Sequence, residues 1–410
     1  MRHSLLLILC AALMVAQTAG DLANRAEQLI RAGDGAGALK LLKTATSQEA
    51  ISAESLDKIG FLFAVLGRSA ESIECFTKSV SLAPDLAIAR YHLGVAFWLE
   101  AKRSDALAQL RQAAILNPKS FDFRLRLGTA LLEMNLYNEA LQELQVAVEL
   151  GPSEGLAWNT LGHALQKTGD LAGAAQAYGK AVELKPAEDM WRNDYGFMLV
   201  ETRKPDQALT EFRKILAHDS ANSRVRVNVG YAYLKKGDFV LAEKEFRAAL
   251  AHDAASPSAH YDLGIALKQQ DKLEAAAKEF EQVIRLDPTL AEAHYTLGII
   301  FWQLAQFPEA IAEMKAALTV RPDYAEAHYM LGIALKQAGD ADAAMAELRE
   351  AIRLDPNTPG PLNTLAQILR AKGEREESAK LFAQAAKLKQ ESELKLGSAL
   401  NQPSLPSAPR

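Results

Sequence analysis

Cysteine is nearly absent from this chain. Two occur in 410 residues, Cys10 and Cys75, and the first lies in a segment expected to be removed, so no intramolecular disulfide is available to the mature protein. Cys75 stands beside Phe76 in a helical pattern and reads as a small buried thiol. No run rich in Lys and Arg occurs either. With 46 basic against 51 acidic residues, the footprint that nucleic-acid binding requires is missing, and no nucleic-acid partner is expected. Past the first twenty residues no apolar segment approaches the roughly 20 residues that span a bilayer, so the mature chain is expected to lack an integral membrane span. There is no Walker sequence, no Ser-His-Asp elbow and no HExxH pair. Gly33 to Gly37 imitates a phosphate loop, but no strand precedes it and it falls in a helical turn. The chain is therefore expected to be no enzyme, with no cofactor and no metal site.

The amino terminus differs from everything after it. Arg2 supplies a short positive region, Leu5 to Ala16 is apolar throughout, and Ala16 to Gly20 offers small residues for a signal peptidase. At about a dozen residues the apolar run is short for a membrane anchor. Residues 1–20 thus read as a secretory signal, cleaved on export to the periplasm or medium if the source is bacterial. An uncleaved signal tethering the chain to a membrane is the alternative.

What the chain does contain is a repeat. Glycine recurs every 34 residues at Gly60, Gly94, Gly128, Gly162, Gly196, Gly230, Gly264, Gly298 and Gly332. At ordinary glycine usage, nine in fixed phase have a chance probability on the order of 10⁻¹¹ before phase is chosen. Ten residues ahead of a Gly stand Pro84, Pro118, Pro152, Pro186, Pro288 and Pro322, with lapses at Ser220 and Ala254, and Pro356 keeps the same spacing. Twelve residues after it come Ala106, Ala140, Ala174, Ala208, Ala242, Ala276, Ala310 and Ala344, and four later a large apolar residue such as Tyr178, Phe212, Phe246 or Phe280.

Apolar steps of three, four and seven around each Leu-Gly pair predict a first helix of about three turns. Turns such as Gly169-Asp170, Gly237-Asp238 and Gly339-Asp340 stop it, and the Ala and aromatic registers give a second helix its buried face. Pro205 and Pro308 sit where a second helix begins, a place that tolerates the missing N–H donor. Each period is a helical hairpin.

The pattern Leu-Gly, then Ala, then an aromatic, then Pro, seen in full from Ala291 to Pro322, resembles the tetratricopeptide repeat family. The resemblance covers eleven units at 19–52, 53–86, 87–120, 121–154, 155–188, 189–222, 223–256, 257–290, 291–324, 325–358 and 359–392, an array over 21–392. It implies an all-α solenoid winding as a right-handed superhelix. The end units depart from the pattern, with Ala26 and Ala366 in place of Gly and Gln390 in place of Pro, as capping repeats do. The last helix is expected to continue to about Leu396, and 393–410 to finish as a disordered Pro/Ser tail.

The resemblance further implies that first helices line a concave groove holding peptides or partner helices, at positions three before, one after and four after each Gly. In this chain those are Tyr261, Ile265 and Lys268; Tyr295, Ile299 and Trp302; Tyr329, Ile333 and Lys336; and, earlier, Tyr91, Val95 and Trp98. Such an apolar, aromatic stripe marks a protein interaction site, although Tyr and Ile also fill space between stacked hairpins. Trp302 is the leading anchor. The family's carboxylate clamp of Lys and Asn finds no match at Asp57, Phe61 and Tyr91, and its asparagine ladder is reduced to Asn228, followed by Asp262, Thr296 and Met330. His260, His294 and His328 lie one per repeat, about 10 Å apart on separate helices, too far for one zinc ion; they stand in the slot of Trp158 and read as packing. Glu374 to Glu377 reads as a solvated face. The expected function is an exported adaptor or scaffold binding a protein or peptide; self-association into a structural assembly, or service as the recognition arm of an enzyme on another chain, are the alternatives.

Overall fold

The computed structural model describes residues 17–400, with side chains to Leu394. Among the described residues every regular element is a helix, and none is long and apolar enough to cross a membrane. The signal reading falls mostly on residues 1–16, outside that range. The helices form two compact units, 1–202 and 203–410. In the N-terminal unit the hairpins are Ala19–Arg31 with Gly35–Thr46, Ala53–Val65 with Ser69–Leu82, Ala87–Leu99 with Arg103–Leu116, Phe121–Glu133 with Tyr137–Leu150, and Gly155–Thr168 with Leu171–Leu184, followed by helix Asp189–Glu201. The C-terminal unit opens on Pro205–Leu216. Its hairpins are Ser223–Lys236 with Phe239–Leu250, Pro257–Lys268 with Leu273–Leu286, Ala291–Gln303 with Phe307–Val320, Ala325–Gln337 with Ala341–Leu354, and Pro359–Ala371 with Arg375–Leu400. The expected unit 189–222 thus gives one helix to each. Pro205 opens its helix and Pro308 stands in the first turn of another, and the last helix runs on to Leu400 rather than ending near Leu396.

The glycine register has a direct cause. A Cβ built on Gly128 would lie 2.6 Å from Leu144, on Gly264 2.7 Å from Phe280 and on Gly332 2.7 Å from Leu348. In each of these hairpins the side chain sixteen residues on rests against the bare backbone of the first helix, where an added Cβ would collide with it. The alanine register is equally strict, every member from Ala106 to Ala344 being fully buried. Phe246, Phe280, Leu144 and Leu348 are likewise closed to solvent, which is where the core of each hairpin sits.

A further column was hidden. One residue per period, seven after the Gly, has a left-handed backbone: Gly33, Gly67, Gly169, Gly237, Gly339 and Gly373, but also Ala101, Asn135, Arg203, Asp271 and Ala305. Left-handed geometry costs a non-glycine residue about 1–2 kcal/mol, so in five turns the packing on either side imposes it against local preference. Asp34, Asp170 and Asp340 then cap the second helices by accepting from the backbone N–H groups of Gly37, Gly173 and Ala343.

The histidine column adds polar contacts to the packing expected of it. His260, His294 and His328 are half-buried polar clasps, their Nδ1 atoms 2.6, 2.7 and 2.6 Å from carboxylate oxygens of Glu279, Glu313 and Glu347 on the partner helix. Arg124 and Arg226 make the same bridge to Glu143 and Glu245, and their Nε atoms donate to the carbonyls of Pro118 and Ser220 in the turn before. Trp158 donates Nε1–H to Pro152 in the same way. The column thus selects an N–H donor that ties a turn to its own hairpin, rather than an aromatic as such. Cys75 is buried, and that burial pushes its thiol up to about 11.

Candidate functional site

The first-helix stripe of the C-terminal unit keeps apolar area at the surface. Tyr261, Ile265, Tyr295, Ile299, Trp302, Tyr329 and Ile333 are all half-buried, whereas the leucines before the glycines, Leu263, Leu297 and Leu331, are closed. Each tyrosine also leans on a neighbour. Tyr261 meets Phe280 edge-on at 5.3 Å, Tyr295 lies 5.0 Å from Tyr324, and the Tyr329 hydroxyl rests against Gly360. Burial holds the phenols of Tyr261 and Tyr295 above their usual range. Part of the stripe is therefore consumed between hairpins and part remains open.

The charged members behave differently from one another. Lys336 donates to Gln367 across to the next hairpin at 2.7 Å. Lys268 is half-buried with no carboxylate in ion-pair range among the described residues, and burial lowers its pKa. Trp302 is half-buried, but its indole N–H is shut off from solvent and has no acceptor. Its ring face, not its donor, is what it offers. Trp98 is corrected outright: it is 6% exposed and packed in the core with Leu127 and Leu131. The Arg103 and Arg126 guanidinium groups lie 4.0 and 5.3 Å from its ring centre. Those stacked cations close the position that spacing alone left open.

Asp262 adds an electrostatic feature to the stripe. Burial raises its carboxyl to about 6, against the opposing pull of Lys235. Between about pH 4 and 6 the folded chain holds a proton that the unfolded chain has released, so this group's contribution falls as pH rises through that window. At pH 7 the buried charge is a liability. Asp262→Asn is expected to raise stability by roughly 1–3 kcal/mol at pH 7 and to leave it unchanged below pH 4, as read from urea midpoints across pH.

In the N-terminal unit the same face opens into a cleft of about 310 Å³ between the second and third hairpins, lined by Phe61, Ser72, Phe76, Tyr91, His92 and Leu99 among others. Phe61 is 48% and Leu99 77% exposed. Tyr91, an expected groove residue, forms one wall and stacks on Phe123 at 4.7 Å. Asp57, which fails as part of a carboxylate clamp, instead accepts from His92 Nδ1 at 2.8 Å. Sequence reading passed over Ser72, although a signal existed. Ser72 stands twelve residues after Gly60, between Ala38 and the column members Ala106, Ala140 and Ala174, and a serine there breaks it.

Tetratricopeptide repeat models match residues 53–86, 97–164, 155–188, 198–260, 266–305 and 295–359. No curated protein matches the chain. Among solved structures it is similar to MamA, at 25% identity over 40% of this chain and 96% of that one, with a TM-score of 0.39. YrrB, described as a TPR protein with an unusual peptide-binding site, is 22% identical over 46% and 97%, with a TM-score of 0.41. Yeast Tom70 is 17% identical over 93% and 94%, with a TM-score of 0.45.

Proposed function

Because this chain belongs to the tetratricopeptide repeat family, whose fold serves protein interaction and is typically non-catalytic, we propose that it is an exported adaptor that holds a partner polypeptide along its first helices. The observation that carries the reading is the half-open row of Tyr261, Ile265, Tyr295, Ile299, Tyr329 and Ile333. Phe246 and Phe280 in the second-helix column are sealed; these are not. Surface area of this kind, aromatic and low in charge at its centre, is what a partner's apolar side chains bury. Export is supported by the leader composition. Thr18 and Asp21 form a reciprocal capping box, and the Gln17 carbonyl accepts from Gln48 at 2.8 Å. A cut after Ala16 keeps all of these.

One experiment tests both parts. The chain is expressed in its native organism with a C-terminal tag, recovered from the exported fraction after crosslinking, and its amino terminus sequenced. The expected product begins at Gln17 and carries a crosslinked polypeptide that Tyr295→Ala with Ile299→Ala reduces at least ten-fold. Retention in the cytoplasm with an intact Met1 removes the export reading, and an undiminished crosslink in the folded double variant removes the stripe.

A further inference from the structure

The cleft between the second and third hairpins has chemistry that the open stripe lacks. Its walls are apolar: Phe61, Phe76, Tyr91, Val95 and Leu99. Apart from the exposed Ser69, two polar side chains interrupt them. Ser72 is 1% exposed, and its hydroxyl has no hydrogen-bond partner. The later hairpins carry Ala at this register, and the other serine in the column, Ser378, satisfies its hydroxyl on the Ala366 carbonyl at 2.8 Å. A buried hydroxyl left without a partner is destabilising, so folding by itself gives no reason for Ser72.

His92 is the second. It is set among three rings, Phe61, Phe76 and Tyr91, at 5.4–5.7 Å. A carboxylate oxygen accepts, so Asp57, 7% exposed, accepts from Nδ1–H and fixes the ring. Nε2 is then the nitrogen left to serve a ligand. A guest satisfying both groups needs a flat apolar body, a hydrogen to give to Nε2 and a lone pair to take the Ser72 proton. A phenol has all three. Indole has no lone pair to offer, and a phenyl ring has neither. At about 310 Å³ the space takes one such ring with room for the backbone that bears it.

We infer that this cleft is a binding pocket for a tyrosine side chain presented by a partner polypeptide. It lies wholly within the N-terminal unit and shares no residue with the stripe of Tyr261 to Lys336, so either site stands if the other fails.

The full mature chain, labelled at its histidine rings, is titrated by NMR with acetyl-Gly-Tyr-Gly-amide, acetyl-Gly-Phe-Gly-amide and p-cresol. His92 is assigned through His92→Gln. The tyrosyl peptide is expected to shift His92 saturably and to bind about five-fold or more tighter than the phenylalanyl peptide. Ser72→Ala is expected to erase that difference while raising the thermal midpoint, opposite signs that no purely structural role gives. Phe61→Ala, at an exposed position, is expected to weaken both peptides. Equal affinity for the two peptides overturns the inference, as does a Ser72→Ala chain that melts lower. Tighter binding of p-cresol than of the tyrosyl peptide overturns the partner chain as its source.

Discussion

Phe280→Ala is expected to remove about 3–5 kcal/mol from the C-terminal unit. The ring is fully buried, rests against Gly264 through Cε2, Cδ2 and Cζ, and meets Tyr261 edge-on. It also belongs to the cluster that joins Phe246, Leu263, Leu297 and Ile300. Alanine would leave a void bounded by three successive hairpins, none of which can close over it without moving its own glycine contact. Since each hairpin touches only its neighbours, the loss is felt locally. Amide exchange should accelerate roughly hundred-fold or more across 257–286 while Ala53–Leu82 keeps its protection. Phe280→Leu should cost less than about 1.5 kcal/mol, because Leu110, Leu144 and Leu348 occupy the same register in other hairpins. A Phe280→Ala chain with wild-type exchange in 257–286 would show that this column is not what couples the hairpins.

Gly128→Val should be nearly as damaging, at about 3 kcal/mol, through the opposite defect. Its Cβ would lie 2.6 Å from the Leu144 Cγ and 2.7 Å from Cδ2, well inside van der Waals contact. Replacing a helical glycine ordinarily gains up to about 1 kcal/mol of backbone entropy; here overpacking exceeds that gain. Adding Leu144→Ala to the valine variant frees the space and should recover part of the loss, measured as the urea midpoint of residues 121–150 by exchange. Additive losses in the double variant would refute the contact.

The candidate sites divide along the same physical line. Tyr91 and the row from Tyr261 to Ile333 were legible because their register relative to the Gly sets the face of a helix. Trp98 shares that register and is nevertheless buried, because Arg103 and Arg126 reach over its ring from different parts of the chain. Period alone assigns no such cover. The Asp57–His92 pair spans 35 residues, joining adjacent periods at slots that hold other residues elsewhere, so no repeat average reveals it. The partners of His260, His294 and His328 were hidden for a related reason: a column of His, Arg and Trp shares polar ring or guanidinium nitrogens, and only the facing carbonyls and carboxylates show it.

Sequence by itself determined the hairpins, their phase and their order, because the contacts that define a hairpin lie about sixteen residues apart and repeat every 34. A bare backbone and the side chain that rests on it can be read as a spacing. Tertiary structure alone decided which first-helix side chains remain open, which turns are held left-handed without glycine, and that Ser72 is stranded beside a cleft. Those outcomes depend on what the next hairpin places opposite, and side chains there vary while the backbone register does not.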